Sequence, residues 1–130
     1  MAMEQGILTG DKDADLIREI VDRIVSPRGF KEIKANIEDY ETPARLTRKS
    51  ETGDEAFIPD VTGTLNGRKS YFELALKTDD EQQAVTKWKL LSNVARFKNG
   101  KFYLVVPRGH YAFANRLVSQ YTIEAEVLKM

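Results

Sequence analysis

With 130 residues, 14.8 kDa, 42% hydrophobic and 31% charged residues, the chain has the size and composition of a single globular domain over residues 1–130, which excludes a disordered or fibrous protein. Lys plus Arg and Asp plus Glu each count 20, so a nucleic-acid partner has to be held by a local patch and not by a basic chain as a whole. Cysteine is absent and His110 is the single histidine; disulfide scaffolds, thiol catalysis and zinc sites of thiolates or several histidines are excluded, and a metal site would be built from carboxylates, which suit Mg2+, Mn2+ or Ca2+.

Residues 1–10 lack a basic region followed by an apolar block, and the longest apolar runs, such as 103–106, are short; a cytoplasmic protein outside the membrane is expected. Over residues 11–25, Leu16, Ile17, Ile20, Val21, Ile24 and Val25 recur at helical spacing, and the helix ends before Pro27 and Gly29. Residues 30–37 approach alternation and predict a strand. Residues 39–55 are polar and predict a long loop with a short strand near Leu46. The runs 56–65 and 68–78 flank Asn66-Gly67, which predicts a hairpin. Asp79 and Asp80 open a helix carrying Val85, Trp88, Leu91 and Ala95 on one face, with Trp88 as a core anchor, and Asn99-Gly100 closes it. A strand over 101–106, a helix over 111–118 and a strand over 122–128 complete the order. A strand, helix and strand in succession predict a parallel pair, so the class is α/β with a mixed sheet flanked by helices.

The hairpin carries the chemistry. With Asn66 and Gly67 at the turn centre, Leu65 faces Arg68 and Asp60 faces Glu73, with β-carbons roughly 5 Å apart, unless a bulge at Gly63 shifts the register. Alternation places Tyr71, Glu73, Ala75 and Lys77 on one side and Phe72, Leu74 and Leu76 on a core face. Two carboxylates can hold a hard cation that polarises a phosphodiester and acidifies a bound water, with a lysine to orient that water. The same residues would equally decorate the wet face of a sheet.

Pro59-Asp60, Glu73 beyond the hairpin, the following helix and the strand over 101–106 together resemble the PD-(D/E)XK nuclease superfamily over roughly residues 11–106. The resemblance implies a restriction-endonuclease-like αβββαβ core, extended here by a helix and strand over 110–128. It implies Mg2+ or Mn2+ held by Asp60 and Glu73, joined by Glu19 from the first helix. The family places a lysine two residues after the acid, where this chain has Ala75. The resemblance therefore turns to Lys77, or to Gln83 or Lys87 on the next helix.

Arg45, Arg48 and Lys49 before the hairpin, and Lys87 and Lys89 with Arg96, Lys98 and Lys101 on or after the second helix, suit DNA phosphate contacts as well as plain solvation. No glycine-rich nucleotide loop can be assembled. The expectation is a metal-dependent endonuclease acting on DNA, with Asp60, Glu73 and Lys77 catalytic, as a homodimer able to span both strands. The alternative is a catalytically inactive domain of this fold serving nucleic-acid binding or protein interaction.

Overall fold

A computed structural model describes residues 13–50 and 53–130. The expected helix start at Asp11 and the reading of residues 1–10 lie outside the described residues. Helix α1 is α-helical over 13–20 and continues as a π-helical turn over Val21–Val25, where the Ser26 N–H donates to the Val21 carbonyl at 2.9 Å. The strands are β1 (Lys31–Ala35), β2 (Leu46–Ser50), β3 (Gly53–Phe57), β4 (Val61–Leu65), β5 (Arg68–Leu74), β6 (Phe102–Val106) and β7 (Glu126–Lys129). Helices α2 (Glu81–Phe97) and α3 (Tyr111–Gln120) complete the set.

Five strands form one mixed sheet in the order β1-β4-β5-β6-β7, antiparallel across its first two pairs and parallel across β5-β6 and β6-β7. The protein is thus α/β, with a mixed sheet between helices as expected. Phe72 and Leu74 of β5 and Tyr103 and Val105 of β6 pack with α1 through Ile17, Ile20, Val21 and Val25. Phe72 stacks on Tyr103 with ring centroids 4.6 Å apart, and Phe30 meets Phe72 edge-on at 5.2 Å. On the other face Tyr71, Ala75, Phe102, Leu104 and Val106 pack with α2 and α3 through Val85, Trp88, Leu91, Phe113 and Leu117. Trp88 is the expected core anchor, set edge-on to Phe113 at 6.5 Å.

Five expectations are corrected. The segment 39–55 has the expected short strand near Leu46 as β2, but β2 pairs with an unexpected β3 in a separate two-stranded sheet whose register runs from Leu46↔Phe57 to Ser50↔Gly53; its residues are mostly polar and exposed, which hides the strand period. The run 56–65 is two strands interrupted around Pro59, which has no N–H for a ladder. Strand β5 stops at Leu74, short of Thr78, and the last strand starts at Glu126, with Ile123 before it serving the core. Finally, the side of β5 bearing Tyr71, Glu73 and Ala75 is as buried as the side bearing Phe72 and Leu74, because α2 crosses over it.

The hairpin register is as expected. Leu65 faces Arg68 and Val61 faces Phe72 without a shift at Gly63, and Asn66 and Gly67 take φ of 54° and 77°, the doubly left-handed two-residue turn. The irregularity falls instead in β1, between Lys31 and Lys34, where Glu32 has φ of 50°.

Helix α2 is closed at both ends. The Asp80 side chain accepts from the Gln83 N–H at 3.1 Å, and Glu81 in the first turn binds Arg116 of α3 at 2.6 Å. At the other end the Gly100 N–H donates to Ala95 at 2.8 Å and the Asn99 N–H to Arg96 at 3.0 Å, with Asn99 left-handed at φ of 60°; this is a Schellman closure. Gly100 is needed there because a β-carbon would stand 1.6 Å from the Lys69 carbonyl oxygen. Gly100→Ala should therefore destabilise the protein by about 2 kcal/mol or more, whereas Gly67→Ala, with open space but positive φ, should cost about 1 kcal/mol. Urea unfolding midpoints check both, and an unchanged midpoint for Gly100→Ala would contradict the close approach.

Candidate active site

Asp60 lies just before β4 and Glu73 near the end of β5, and the in-register hairpin brings them together. Each carboxylate binds the other strand's main chain. The Leu74 N–H donates to Asp60 Oδ2 at 2.8 Å, and the Asp60 N–H donates to Glu73 Oε1 at 3.2 Å. The two carboxyls are close enough for the charge of Asp60 to act on Glu73. The second oxygen of Glu73, Oε2, is 2.6 Å from Lys87 Nζ of α2. Glu73 is only 4% exposed, so two acids and one ammonium meet in a largely dry environment.

The electrostatics follow from that burial. Desolvation and then the Asp60 charge push the Glu73 pKa up to about 8, against the attraction of Lys87. Desolvation raises Asp60 as well, opposed by the Lys87 charge and the Leu74 N–H. Burial alone would lower Lys87, but Glu73 and Asp60 outweigh it and hold the ammonium at about 12. Lys87 is therefore a cation at any physiological pH, while the carboxyl pair exchanges a proton near neutrality.

The structure brings Asp60, Glu73 and Lys87 together and leaves the other expected site residues elsewhere. Lys77 is exposed beyond the end of β5; its main-chain N–H donates to His110 Nδ1 at 2.9 Å. The alternation that would have set Lys77 beside Glu73 ends when the strand does. Glu19 is on α1, which packs on the opposite face of the sheet, and its carboxylate is 2.6 Å from Arg23. Among the described residues no group of three or more acids and histidines is assembled. Ala75 is fully buried against the α2 side of the core, leaving no space for a lysine two residues after Glu73.

Lys87 had a signal in the sequence that was easily passed over. It stands three residues after Ala84 and four before the buried Leu91, on the stripe by which α2 meets the sheet. Among the expected phosphate contacts, Arg48 pairs with Glu55 across the β2-β3 hairpin and Lys49 is in register with Asp54, so acids offset two of the hairpin's cations. Arg45 is exposed before β2, and the Lys89 ammonium lies 5.6 Å from the centre of the Tyr121 ring. Among the described residues no helix is long and apolar enough to cross a membrane. No protein-family model matches the chain, and no curated protein or solved structure is significantly similar to it.

A group whose folded pKa is raised above its unfolded value contributes stability that is present below the unfolded pKa and lost as the pH rises through the folded one. For Glu73 that window runs from 4.5 to about 8. In chelator, the stability of wild type relative to Glu73→Gln should fall steadily as the pH goes from about 4.5 to about 8. Lys87→Met should cost about 3 kcal/mol at the upper end of that range, where it strands a charged carboxylate, and less at the lower end. Urea unfolding at a series of pH values checks both, and parallel curves for wild type and Glu73→Gln would refute the raised pKa.

Proposed function

We propose that the protein is a metal-dependent nuclease of the PD-(D/E)XK type that hydrolyses DNA phosphodiester bonds at Asp60, Glu73 and Lys87. The observation that carries this reading is the meeting of a buried carboxylate, Glu73, a half-buried one, Asp60, and a lysine at the end of one hairpin. The order of α1, the three antiparallel strands β1, β4 and β5, then α2 and β6, supports the family's core arrangement, with β2-β3 as an insertion and α3-β7 as an extension.

The donor set suits a divalent cation. It offers only carboxylate oxygens, which match Mg2+ or Mn2+, and two acids that repel each other in a dry site are stabilised by a second positive charge. Asp60 and Glu73 would hold the ion, which when bound polarises a phosphoryl oxygen and acidifies a water. The main-chain N–H groups of Asp60 and Leu74 fix the carboxylates, so that the site is preorganised before substrate arrives. Lys87 keeps its proton, so its ammonium orients the attacking water and stabilises negative charge developing on the phosphoryl group; it is not a general base. The balanced reaction adds water at phosphorus, breaks one P–O ester bond and leaves a phosphate monoester and a hydroxyl. Cutting both strands of a duplex would take a homodimer.

The Lys87–Glu73 contact also favours a second reading. That ion pair satisfies one carboxylate oxygen without a metal, and a domain that had kept it for stability alone would be an inactive nucleic-acid-binding or interaction module. Cleavage of linear, supercoiled and branched DNA in Mg2+ and in Mn2+ separates the two. The nuclease reading expects cutting that EDTA abolishes, that Asp60→Ala and Glu73→Ala lose by at least a hundredfold, and that Lys87→Ala loses similarly while Lys77→Ala keeps it, in line with typical losses of a charge-stabilising group. Folded wild type that cuts none of these substrates would leave the inactive module.

A further inference from the structure

Phe97 is 86% exposed in the last turn of α2, the most exposed of the large hydrophobic residues described. Its surroundings are basic. Lys98 follows it directly, and the chain then turns at Asn99-Gly100 so closely over β5 that Gly100 is set against the Lys69 main chain. Lys69 and Lys34 both line a groove of about 430 Å³ on the sheet, with Thr62 and Thr64 between them and Glu32, Ile33 and Glu41 at its side. The charges of Lys98 and Lys34 act on Lys69, whose pKa is lowered first by burial and then by those two neighbours. Neither Lys69 nor Lys98 has an acidic partner among the described residues; the Lys69 ammonium lies 5.7 Å from the Tyr71 ring centre, and Lys34 is 3.5 Å from Glu41.

The groove and the candidate active site lie on one side of the same hairpin. Thr64 faces Lys69 and Thr62 faces Tyr71, so these residues share the side of the sheet that carries Asp60 and Glu73. Lys69 precedes Glu73 by four residues, a separation of roughly 14 Å along the strand. Cations spaced along a groove bind a phosphate backbone, and an exposed ring offers a face to a base only if that base is unstacked, as in a single strand and not in a duplex.

We propose that Lys34, Lys69, Lys98 and Phe97 form a single-stranded DNA subsite, with the lysines on successive phosphates and Phe97 stacked under a base, which feeds one strand to Asp60, Glu73 and Lys87. The subsite rests on the nuclease reading for its direction and substrate class, but its binding can be measured without catalysis. One copy of the chain is enough to bind one strand.

The test is fluorescence anisotropy of a short labelled oligodeoxynucleotide, as a single strand and as a duplex, in EDTA over a range of salt concentrations. The single strand should bind more tightly than the duplex. Phe97→Ala should weaken it roughly tenfold while Phe97→Tyr retains it, and Lys69→Ala with Lys98→Ala should flatten the salt dependence by about 1.4 in the log–log slope. Lys77→Ala, outside both the subsite and the candidate active site, should bind as wild type. Circular dichroism confirms that each variant is folded. Equal binding of the duplex, no binding, or no effect of Phe97→Ala would overturn the subsite, as would a Phe97-dependent dimer in light scattering without DNA binding. Binding without cleavage would sink the nuclease reading and leave the subsite standing; cleavage without single-strand preference would sink the subsite alone.

Discussion

Strand β5 sits in the middle of the sheet with helices over both faces, and everything notable about the candidate site follows from placing Glu73 on it. A carboxylate near the end of this strand, between buried Tyr71, Phe72 and Leu74, loses most of its hydration. It is tolerated because two groups are brought to it, the Asp60 N–H and the Lys87 ammonium. Each comes from a different constraint. The tight Asn66-Gly67 turn sets the register that brings Asp60 to Glu73, and the Asp80 cap sets the start of α2 so that Lys87 falls over the strand end.

The position of the lysine shows how packing decides between chemically equal solutions. An ammonium beside Glu73 could come from the same strand, two residues on, or from the helix above it. Position 75 is closed, since Ala75 is completely covered where the strand end meets the α2 and α3 core, and a long charged side chain there would displace that core. Position 87 is open on one side, and its side chain is 21% exposed. Lys87 can run its aliphatic stem along apolar surface and set its charge on Glu73. The outcome is a site whose cation belongs to α2, so the geometry of the pair depends on how α2 docks and not on strand alternation.

The same helix links the two ends of the proposed substrate path. Its second turn contributes Lys87, and its last turn contributes Phe97 and Lys98 beside Lys69. Its docking is secured at the far end by the contact of Gly100 with the Lys69 main chain and at the near end by Glu81 with Arg116 of α3. A helix pinned at both ends holds the acid pair and the exposed ring at a constant separation, which suits a strand bound along one face.

The mixed sheet, the Asn-Gly hairpin, the parallel β5-β6 crossover, the Asp80 cap and the facing of Asp60 and Glu73 were all legible in the amino-acid sequence, because each depends on local turn chemistry or on a period of two or 3.6 residues. A strand near Leu46 was legible too, but its pairing with β3 was not, since a mostly polar, exposed two-stranded ribbon has no buried face to imprint a pattern on its residues. Both Lys77 and Lys87 were offered by the sequence, but the choice between them was not legible. Strand alternation holds only while the strand lasts, and β5 ends at Leu74, three residues before Lys77. That both sides of β5 are covered, which lysine reaches the acids and where Glu19 lies relative to them were decided by tertiary structure alone, because all three depend on which helix covers which face of the sheet, and helix docking is a property of distant residues meeting.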